Sequence, residues 1–166
     1  MDKKKNHRKP THIKDYDYSE TNAFFITICS KARQELFSRI SVGEGLAPHL
    51  IELSDYGNIA KVELENIIER FPMVTIEKYV IMPNHIHILL LFEKAGGASP
   101  SPTIHDVVCA YKSLVTRSCK NLGAKTTVWQ RGYYEHIVRS YSDFLLIRSY
   151  IDDNPAKWAE DEYYTP

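Results

Sequence analysis

Residues 79–92 read YVIMPNHIHILLLF and decide how the chain is organised. Aliphatic residues lead up to Pro83-Asn84 and resume after it, a pattern typical of two strands joined by a tight turn. His85 and His87 interrupt the second apolar run. Because successive side chains of a strand point to opposite faces, the two imidazoles share a face and lie roughly 6–7 Å apart. That spacing allows both histidines to bind one divalent cation.

The hairpin lies within a predicted β-α-β-β-α-β order that ends in a further helix. The predicted strands are Ala23–Cys29, Val74–Met82, His85–Glu93 and Val128–Arg139, with a loop through Gly43, Gly45 and Pro48 after the first. The predicted helices follow caps at Ser54 and Thr103, end at Pro72 and Gly123, and finish with one from about Ser142 to Asn154. This order predicts an α+β fold, a ferredoxin-like sandwich with an antiparallel sheet, helices on one face and a C-terminal helix.

Length and composition indicate one globular domain. The 166 residues carry no net charge and contain no apolar run of the roughly 18 residues that a membrane span needs. The basic N-terminus lacks the apolar stretch of a secretory signal, so we expect a cytoplasmic protein without a membrane partner. Three scattered cysteines argue against a disulfide framework and a zinc ribbon.

The expected organisation has three parts: a basic flexible arm over residues 1–20, a domain over 21–158 and an acidic tail over 159–166. The arm is equally compatible with phosphate contact and with a solubilising role.

The last helix offers further chemistry to the histidine pair. Tyr150 and Asn154 are four residues apart and therefore share one helical face. Asn154 could give its amide oxygen to a metal while Tyr150 presents a phenol beside it, and Asp153 is a rival ligand. Without the histidines, the simpler explanation of these two residues is a core aromatic and a helix-ending residue.

Three stretches together resemble a known family. They are PNHIH at residues 83–87, WQRGYYEHIVR at 129–139 and YIDDNPAKW at 150–158. In this order and spacing they resemble the single-tyrosine HUH transposases, most closely the REP-associated tyrosine transposase (RAYT) branch. The resemblance extends from about residue 23 to residue 158.

The resemblance implies a metal-dependent reaction on DNA. His85, His87 and Asn154 would hold Mg²⁺ or Mn²⁺, and Tyr150 would attack a scissile phosphate in single-stranded DNA that carries a hairpin. The product would be a 5′-phosphotyrosine and a free 3′-hydroxyl, from which the strand can be rejoined. The resemblance leaves open whether the protein acts as a monomer or a homodimer, and whether the tyrosine serves its own chain or a partner.

Other residues have less specific expected roles. Tyr141 is the second choice for the nucleophile, since only Tyr150 combines the helical face with the spacing of the family. The candidate DNA contacts are Lys112, Arg117, Lys120, Arg131, His136 and Arg139. A solvated helix face is the simpler explanation for each lysine. For His136, a role in the site or in DNA contact and a purely structural role are equally open.

Two alternatives to a transposase remain at this stage. Histidine-triad nucleotide hydrolases need a third alternating histidine, where this chain has Leu89. A domesticated DNA-hairpin-binding protein could keep the fold without cleaving DNA, although the set of two histidines, a tyrosine and an asparagine argues against it.

Overall fold

The sheet that carries the histidines has four antiparallel strands in the computed structural model, which describes residues 22–41, 50–93, 102–124 and 127–164. The strands are β1 (Asn22–Cys29), β4 (Val74–Ile81), β5 (His85–Phe92) and β6 (Tyr134–Val138), in the order β4-β5-β1-β6. This is the ferredoxin-like arrangement, and the predicted α+β fold is confirmed. The predicted arm over residues 1–20 lies outside the described residues.

Two helices cover one face of the sheet. They are α1 (Asp55–Arg70) and α2 (Ile104–Asn121), which pack on each other and on the face formed by Ile26, Ile28 and Ile88. Both begin at the predicted caps. The Ser54 hydroxyl accepts from Gly57 N at 3.1 Å, and Thr103 and Asp106 bond each other reciprocally in a capping box.

A third helix lies on the opposite face. α3 (Tyr141–Asp153) places Phe144, Ile147 and Ile151 against Phe25 and other residues of that face. Alternation along β5 places His85, His87 and Leu89 on this face, while Ile86 and Ile88 pack under α1 and α2. The histidines therefore lie on the face that α3 covers.

A short strand pair between β1 and α1 was missed by the sequence reasoning, which predicted only a loop there. β2 (Ser38–Ser41) and β3 (Leu50–Leu53) pair with each other outside the main sheet. The predicted loop glycines and proline at 43, 45 and 48 lie outside the described residues.

The predicted strand Val128–Arg139 is also corrected. Trp129 forms an isolated bridge with Ser30, and regular pairing begins only at Tyr134. Gly132 between them has a φ of +77°, which breaks the extended backbone. The Lys112 ammonium donates to the carbonyl oxygens of Gln130 and Gly132, both at 2.8 Å, and so binds this break to α2.

The chain end returns to the histidine face. After a 3₁₀ turn at Trp158–Glu160, the Asn84 amide donates to the Tyr163 carbonyl at 2.7 Å, and the Arg33 guanidinium donates to that of Glu162 at 2.8 Å. No helix among the described residues is long and apolar enough to cross a membrane.

Candidate active site

His85 and His87 converge on one point. The tight turn at Pro83-Asn84 is closed by a hydrogen bond from Met82 N to the His85 carbonyl at 2.9 Å, and β5 begins directly after it. The two Nε2 atoms lie 3.0 Å apart, and the residues are 0% and 1% exposed. Two imidazole nitrogens in this position can bind one ion.

The Asn84 amide fixes the tautomer of His85. Its Nδ2 donates to the carbonyl oxygens of Arg33 (3.3 Å) and Tyr163 (2.7 Å), so its Oδ1 must face His85 Nδ1, 2.9 Å away. An amide oxygen only accepts, so His85 Nδ1 carries the proton and Nε2 keeps its lone pair. The other nitrogen of His87, Nδ1, lies 2.8 Å from the Thr27 hydroxyl. Such partners are the usual support of metal-binding histidines.

Both imidazoles are neutral at physiological pH. Burial lowers the pKa of His85 to about 3, and the positive charge of Arg33 acts in the same direction. Burial also lowers the pKa of His87 to about 3, and the neighbouring His85 lowers it further. Neutral imidazole is the form that binds metals.

Tyr150 reaches the histidines from α3. Its Oη lies 3.3 Å from His87 Nε2, and its ring meets the Phe25 ring edge-on with centroids 5.9 Å apart. The residue is 42% exposed, so solvent and a large substrate can reach it. Burial of the hydroxyl raises the pKa of Tyr150 to about 12, and the charges of Asp161 and Glu162 add to this. The free site therefore holds a phenol.

Asn154 lies at the C-terminal end of α3 and is 3% exposed. Its Nδ2 donates to Asp161 Oδ2 at 2.9 Å, whereas its Oδ1 is a buried side-chain atom that has no hydrogen-bond partner among the described residues. A buried acceptor without a donor is costly, and a cation would satisfy it. Asp153, the rival ligand, is exposed and pairs with Lys157 at 3.3 Å. The geometry therefore favours Asn154 over Asp153.

The donor set suits a divalent metal. It combines two neutral imidazole nitrogens with an unpartnered amide oxygen, and the ligand atoms of His85, His87 and Asp161 lie within 4.8 Å of one another. Nitrogen and oxygen donors together are compatible with Mg²⁺ and Mn²⁺. The residues present therefore fit the expected cation.

Sequence comparison with known proteins identifies the family of this chain. The sequence profile described as "Transposase IS200 like" matches residues 23–154. This chain belongs to the IS200-like transposase family. An uncharacterized protein of Haemophilus influenzae is 36% identical over 95% of this chain and 93% of its own length. A putative REP-associated tyrosine transposase of the same organism is 22% identical, over 85% of this chain and 74% of its own.

Solved structures show the same fold. A REP-associated tyrosine transposase bound to a REP hairpin superposes with a TM-score of 0.61 at 18% identity, over 85% of this chain and 70% of that one. A putative transposase from Deinococcus radiodurans gives a TM-score of 0.50 at 20% identity, over 84% and 93%. The predicted resemblance to the REP-associated tyrosine transposases is confirmed, and a transposase-type function follows from the family.

The histidine-triad alternative loses its remaining support. Leu89 stands where that class needs a third histidine, and it is 0% exposed in the cluster that includes Phe144 and Ile147. The position belongs to the packing between the transposase sheet and α3. Tyr141, the second choice for the nucleophile, begins α3 and so lies at the opposite end of that helix from Asn154.

The candidate DNA contacts separate into two groups. Lys112, Arg117 and Lys120 line one groove of about 520 Å³ together with Trp129 and Gln130. The other candidates lie outside its lining: Arg131 and Arg139 are exposed, and His136 bonds Asp143 of α3 at 2.9 Å. His136 therefore has a structural partner in α3, which agrees with the structural alternative.

Asp161 is the residue that the sequence reasoning missed. It was assigned to an acidic tail, but its side chain is 2% exposed and its Oδ2 lies 4.0 Å from His85 Nε2. It also contributes to a cavity of about 320 Å³ beside Tyr150, together with Asn154, Lys157, Glu160 and Glu162. The cluster of three acidic residues after Trp158 was visible in the sequence, but no spacing rule connected it to the histidines.

Proposed function

We propose that this protein is a metal-dependent single-stranded DNA transposase that cuts and rejoins DNA through a 5′-phosphotyrosine on Tyr150. The observation that carries the proposal is the position of the Tyr150 hydroxyl, 3.3 Å from His87 Nε2 and beside a convergent, neutral histidine pair. Membership in the transposase family supports the reaction class. The expected cofactor is Mg²⁺ or Mn²⁺, held by His85, His87 and Asn154.

The reaction transfers a phosphoryl group to the tyrosine. Tyr150 Oη attacks the scissile phosphorus, the bond from phosphorus to the 3′ oxygen breaks, and the released oxygen takes up a proton. The phenol proton leaves to solvent, which the exposure of Tyr150 permits. His85, His87 and Asn154 would hold a divalent cation, which would supply positive charge to polarise the phosphate and lower the pKa of the phenol. Attack of a 3′-hydroxyl on the phosphotyrosine reverses the step and rejoins the strand.

The charge of the site supports the need for a cation. Glu160, Asp161 and Glu162 line the cavity beside Tyr150, and Lys157 is the one basic residue among the described residues of that lining. A DNA phosphate entering this cavity meets net negative charge, and it meets a phenol whose pKa is already raised. Positive charge at the histidines would reverse both effects.

The cationic groove is the proposed path of the DNA backbone away from the site. Among the residues that the structure describes, its lining contains Lys112, Arg117 and Lys120 and no acidic residue. The segment that forms its other wall bonds the end of β1: Gln130 N donates to the Cys29 carbonyl at 3.0 Å. Cys29 pairs with His85, so the groove begins at the same end of the sheet as the histidines. The proposed substrate is single-stranded DNA with a hairpin.

The test is formation of a covalent adduct. Wild-type protein with Mn²⁺ should form a denaturation-resistant complex with a 5′-phosphoryl product of a single-stranded hairpin taken from its own genomic neighbourhood. Tyr150→Phe should lose the adduct completely, while Tyr141→Phe, on the same helix, should keep it. An adduct that persists in Tyr150→Phe would assign the nucleophile elsewhere. Hairpin binding without any adduct would instead support a domesticated DNA-binding protein.

A further inference from the structure

Asp161 approaches the histidine pair from outside the part of the chain that the family profile matches. That match ends at residue 154, and Asp161 follows the 3₁₀ turn at Trp158–Glu160. Its Oδ2 lies 4.0 Å from His85 Nε2 and accepts from Asn154 Nδ2 at 2.9 Å. Its Oδ1 accepts from the backbone N of Tyr163 at 2.7 Å. The carboxylate is therefore held in a defined orientation at the edge of the candidate metal site.

We propose that Asp161 is a ligand of the divalent cation that His85 and His87 hold, and that it retains the metal in the DNA-free protein. The inference rests on the metal site of the proposed function and adds to it a carboxylate. Ligand atoms from all three residues lie within 4.8 Å of one another, a distance over which one ion can bridge them.

The charge of Asp161 needs a counter-ion. Its side chain is 2% exposed, and among the described residues no lysine or arginine nitrogen lies within 4.0 Å of it. The nearest histidine nitrogen, His85 Nε2, lies 4.0 Å away and keeps its lone pair because Nδ1 donates to Asn84 Oδ1 at 2.9 Å, so it offers Asp161 no proton. Buried carboxylates are paired or coordinate metals, because an isolated buried charge is strongly unfavourable. A divalent cation at the histidines would supply the missing positive charge.

Asp161 also orients a second ligand. By accepting from Asn154 Nδ2, it leaves Asn154 Oδ1 as the other end of the amide, and within the described part of the chain that buried oxygen has no hydrogen-bond partner. The carboxylate thus selects the orientation in which Asn154 offers oxygen rather than nitrogen. A carboxylate oxygen added to two imidazole nitrogens makes the ligand set a harder Lewis base, which suits the hard cations Mn²⁺ and Mg²⁺.

The test is a titration of the full chain with Mn²⁺ in the absence of DNA. The electron paramagnetic resonance signal of free Mn²⁺ measures how much of the metal is bound. Asp161→Asn keeps an acceptor for Asn154 but removes the charge, and we expect its Kd to rise roughly 10–100-fold or more, at least the loss seen for supporting residues of metal sites. Glu160→Gln is the matched control: it removes the same charge from the same cavity and should leave the Kd unchanged.

His87→Ala separates this inference from the metal site itself. If Asp161→Asn binds Mn²⁺ like wild type while His87→Ala does not, the histidine site stands and the role of Asp161 is refuted. If neither substitution changes the Kd, the metal is not held here at all. If Asp161→Asn weakens binding but the wild type forms no DNA adduct, the ligand assignment stands and the proposed reaction fails.

A measurement on the wild-type protein keeps the proposal testable even if Asp161→Asn does not fold. Wild-type protein labelled with ¹³C-aspartate should show carboxylate coupling to bound Mn²⁺ in electron–nuclear double resonance, and Asp161→Glu should retain measurable binding. Absence of the ¹³C coupling would overturn the proposal whatever the behaviour of the asparagine variant.

Discussion

Asn84 determines which nitrogen of His85 is free. Its amide is oriented by two backbone carbonyl acceptors, those of Arg33 and Tyr163, so the oxygen is left for His85 Nδ1. The residue is 0% exposed, and it lies within the turn that precedes β5. The asparagine of the PNHIH stretch thus joins three parts of the molecule: the first loop, the histidine strand and the chain end.

Replacement of Asn84 by alanine should weaken metal binding without removing any proposed ligand. Loss of the amide frees His85 Nδ1 and the carbonyl of Tyr163, so both the imidazole and the chain end lose their orientation. We expect the Mn²⁺ Kd to rise by about 10–100-fold, the usual cost of losing such a partner. Asn58→Ala is the control, because the Asn58 side chain donates to the Ser54 carbonyl on the exposed start of α1, away from the histidines. Equal affinity in Asn84→Ala and wild type would contradict this role.

The arrangement around the histidines was partly predictable from sequence. Strand alternation placed His85 and His87 on one face, and helical spacing placed Tyr150 beside Asn154, and the structure brings all four together. Their catalytic and ligand roles stay predictions. Asp161 could not be found this way, because it reaches the site through a reversal of the chain after α3 rather than through a periodic spacing.

Gly57 sets how closely α1 approaches the loop before β2. A Cβ at this position would lie 1.9 Å from the Phe37 carbonyl oxygen, a backbone atom that cannot move aside alone. The same carbonyl accepts from Ser54 N at 2.9 Å, so the start of α1 is bonded to the strand pair at this point. The start of α1 at Ser54 and the close approach at Gly57 therefore both depend on the position of the Phe37 carbonyl.

Gly57→Ala should therefore destabilise the protein even though alanine is the better helix former. We expect the free energy of unfolding to fall by about 1–3 kcal/mol, the usual cost of forcing extra volume into a packed position. The matched control is Val62→Ala on the exposed side of α1, where Val62 is 53% exposed, and its effect should stay within about 0.5 kcal/mol. Chemical denaturation measures both. Stability equal to wild type in Gly57→Ala would show that the loop at Phe37 can move away.

Elements with their own caps were predictable, and elements that depend on distant contacts were not. α1 and α2 begin at capping residues that the sequence displays. β2 and β3 have four residues each, too few for a periodic signal, and they exist only as a pair. The early part of the predicted fourth strand is interrupted at Gly132, where φ is +77° and Lys112 of α2 donates to the carbonyl.

The neutral chain separates its charges across the molecule. Basic residues line the groove on α2, and acidic residues line the cavity beside Tyr150. A net charge of zero therefore does not describe what a DNA strand would meet at either place. Under the proposed function, the groove would give the DNA a basic path, and the reacting phosphate would lie at a site whose positive charge comes from a cation.

Removal of the exposed basic side chains of the groove should reduce both the affinity for DNA and the salt dependence of DNA binding. Arg117 and Lys120 are exposed, whereas the Lys112 ammonium is already bonded to two carbonyls. For the double variant Arg117→Ala, Lys120→Ala, the slope of log K against log salt should become shallower by about 0.7–0.9 for each phosphate that the variant no longer neutralises. Fluorescence anisotropy with a labelled hairpin at several salt concentrations measures it. Lys61→Ala on α1 is the control, and an equal reduction there would point to nonspecific charge.

The tyrosine helix is attached to the sheet of its own chain. Ile147 and Ile151 of α3 pack against that sheet. Two ion pairs connect the helix to β4, Lys78 with Asp152 at 2.5 Å and Arg148 with Glu77 at 3.1 Å. Such surface pairs contribute little stability individually, but together with the apolar contacts they define where α3 lies. This arrangement favours a tyrosine that serves the histidines of the same chain.

A complementation experiment tests that arrangement. Tyr150→Phe keeps both histidines, and His87→Ala keeps the nucleophile, so neither protein alone should form the DNA adduct. If each tyrosine serves its own chain, mixing the two variants in equal amounts leaves every active site incomplete, and no adduct should appear on a denaturing gel. Co-expression of the pair controls for slow exchange between subunits. Adduct formation in the mixture would show that α3 exchanges between chains, because only a shared site could unite Tyr150 with an intact histidine pair.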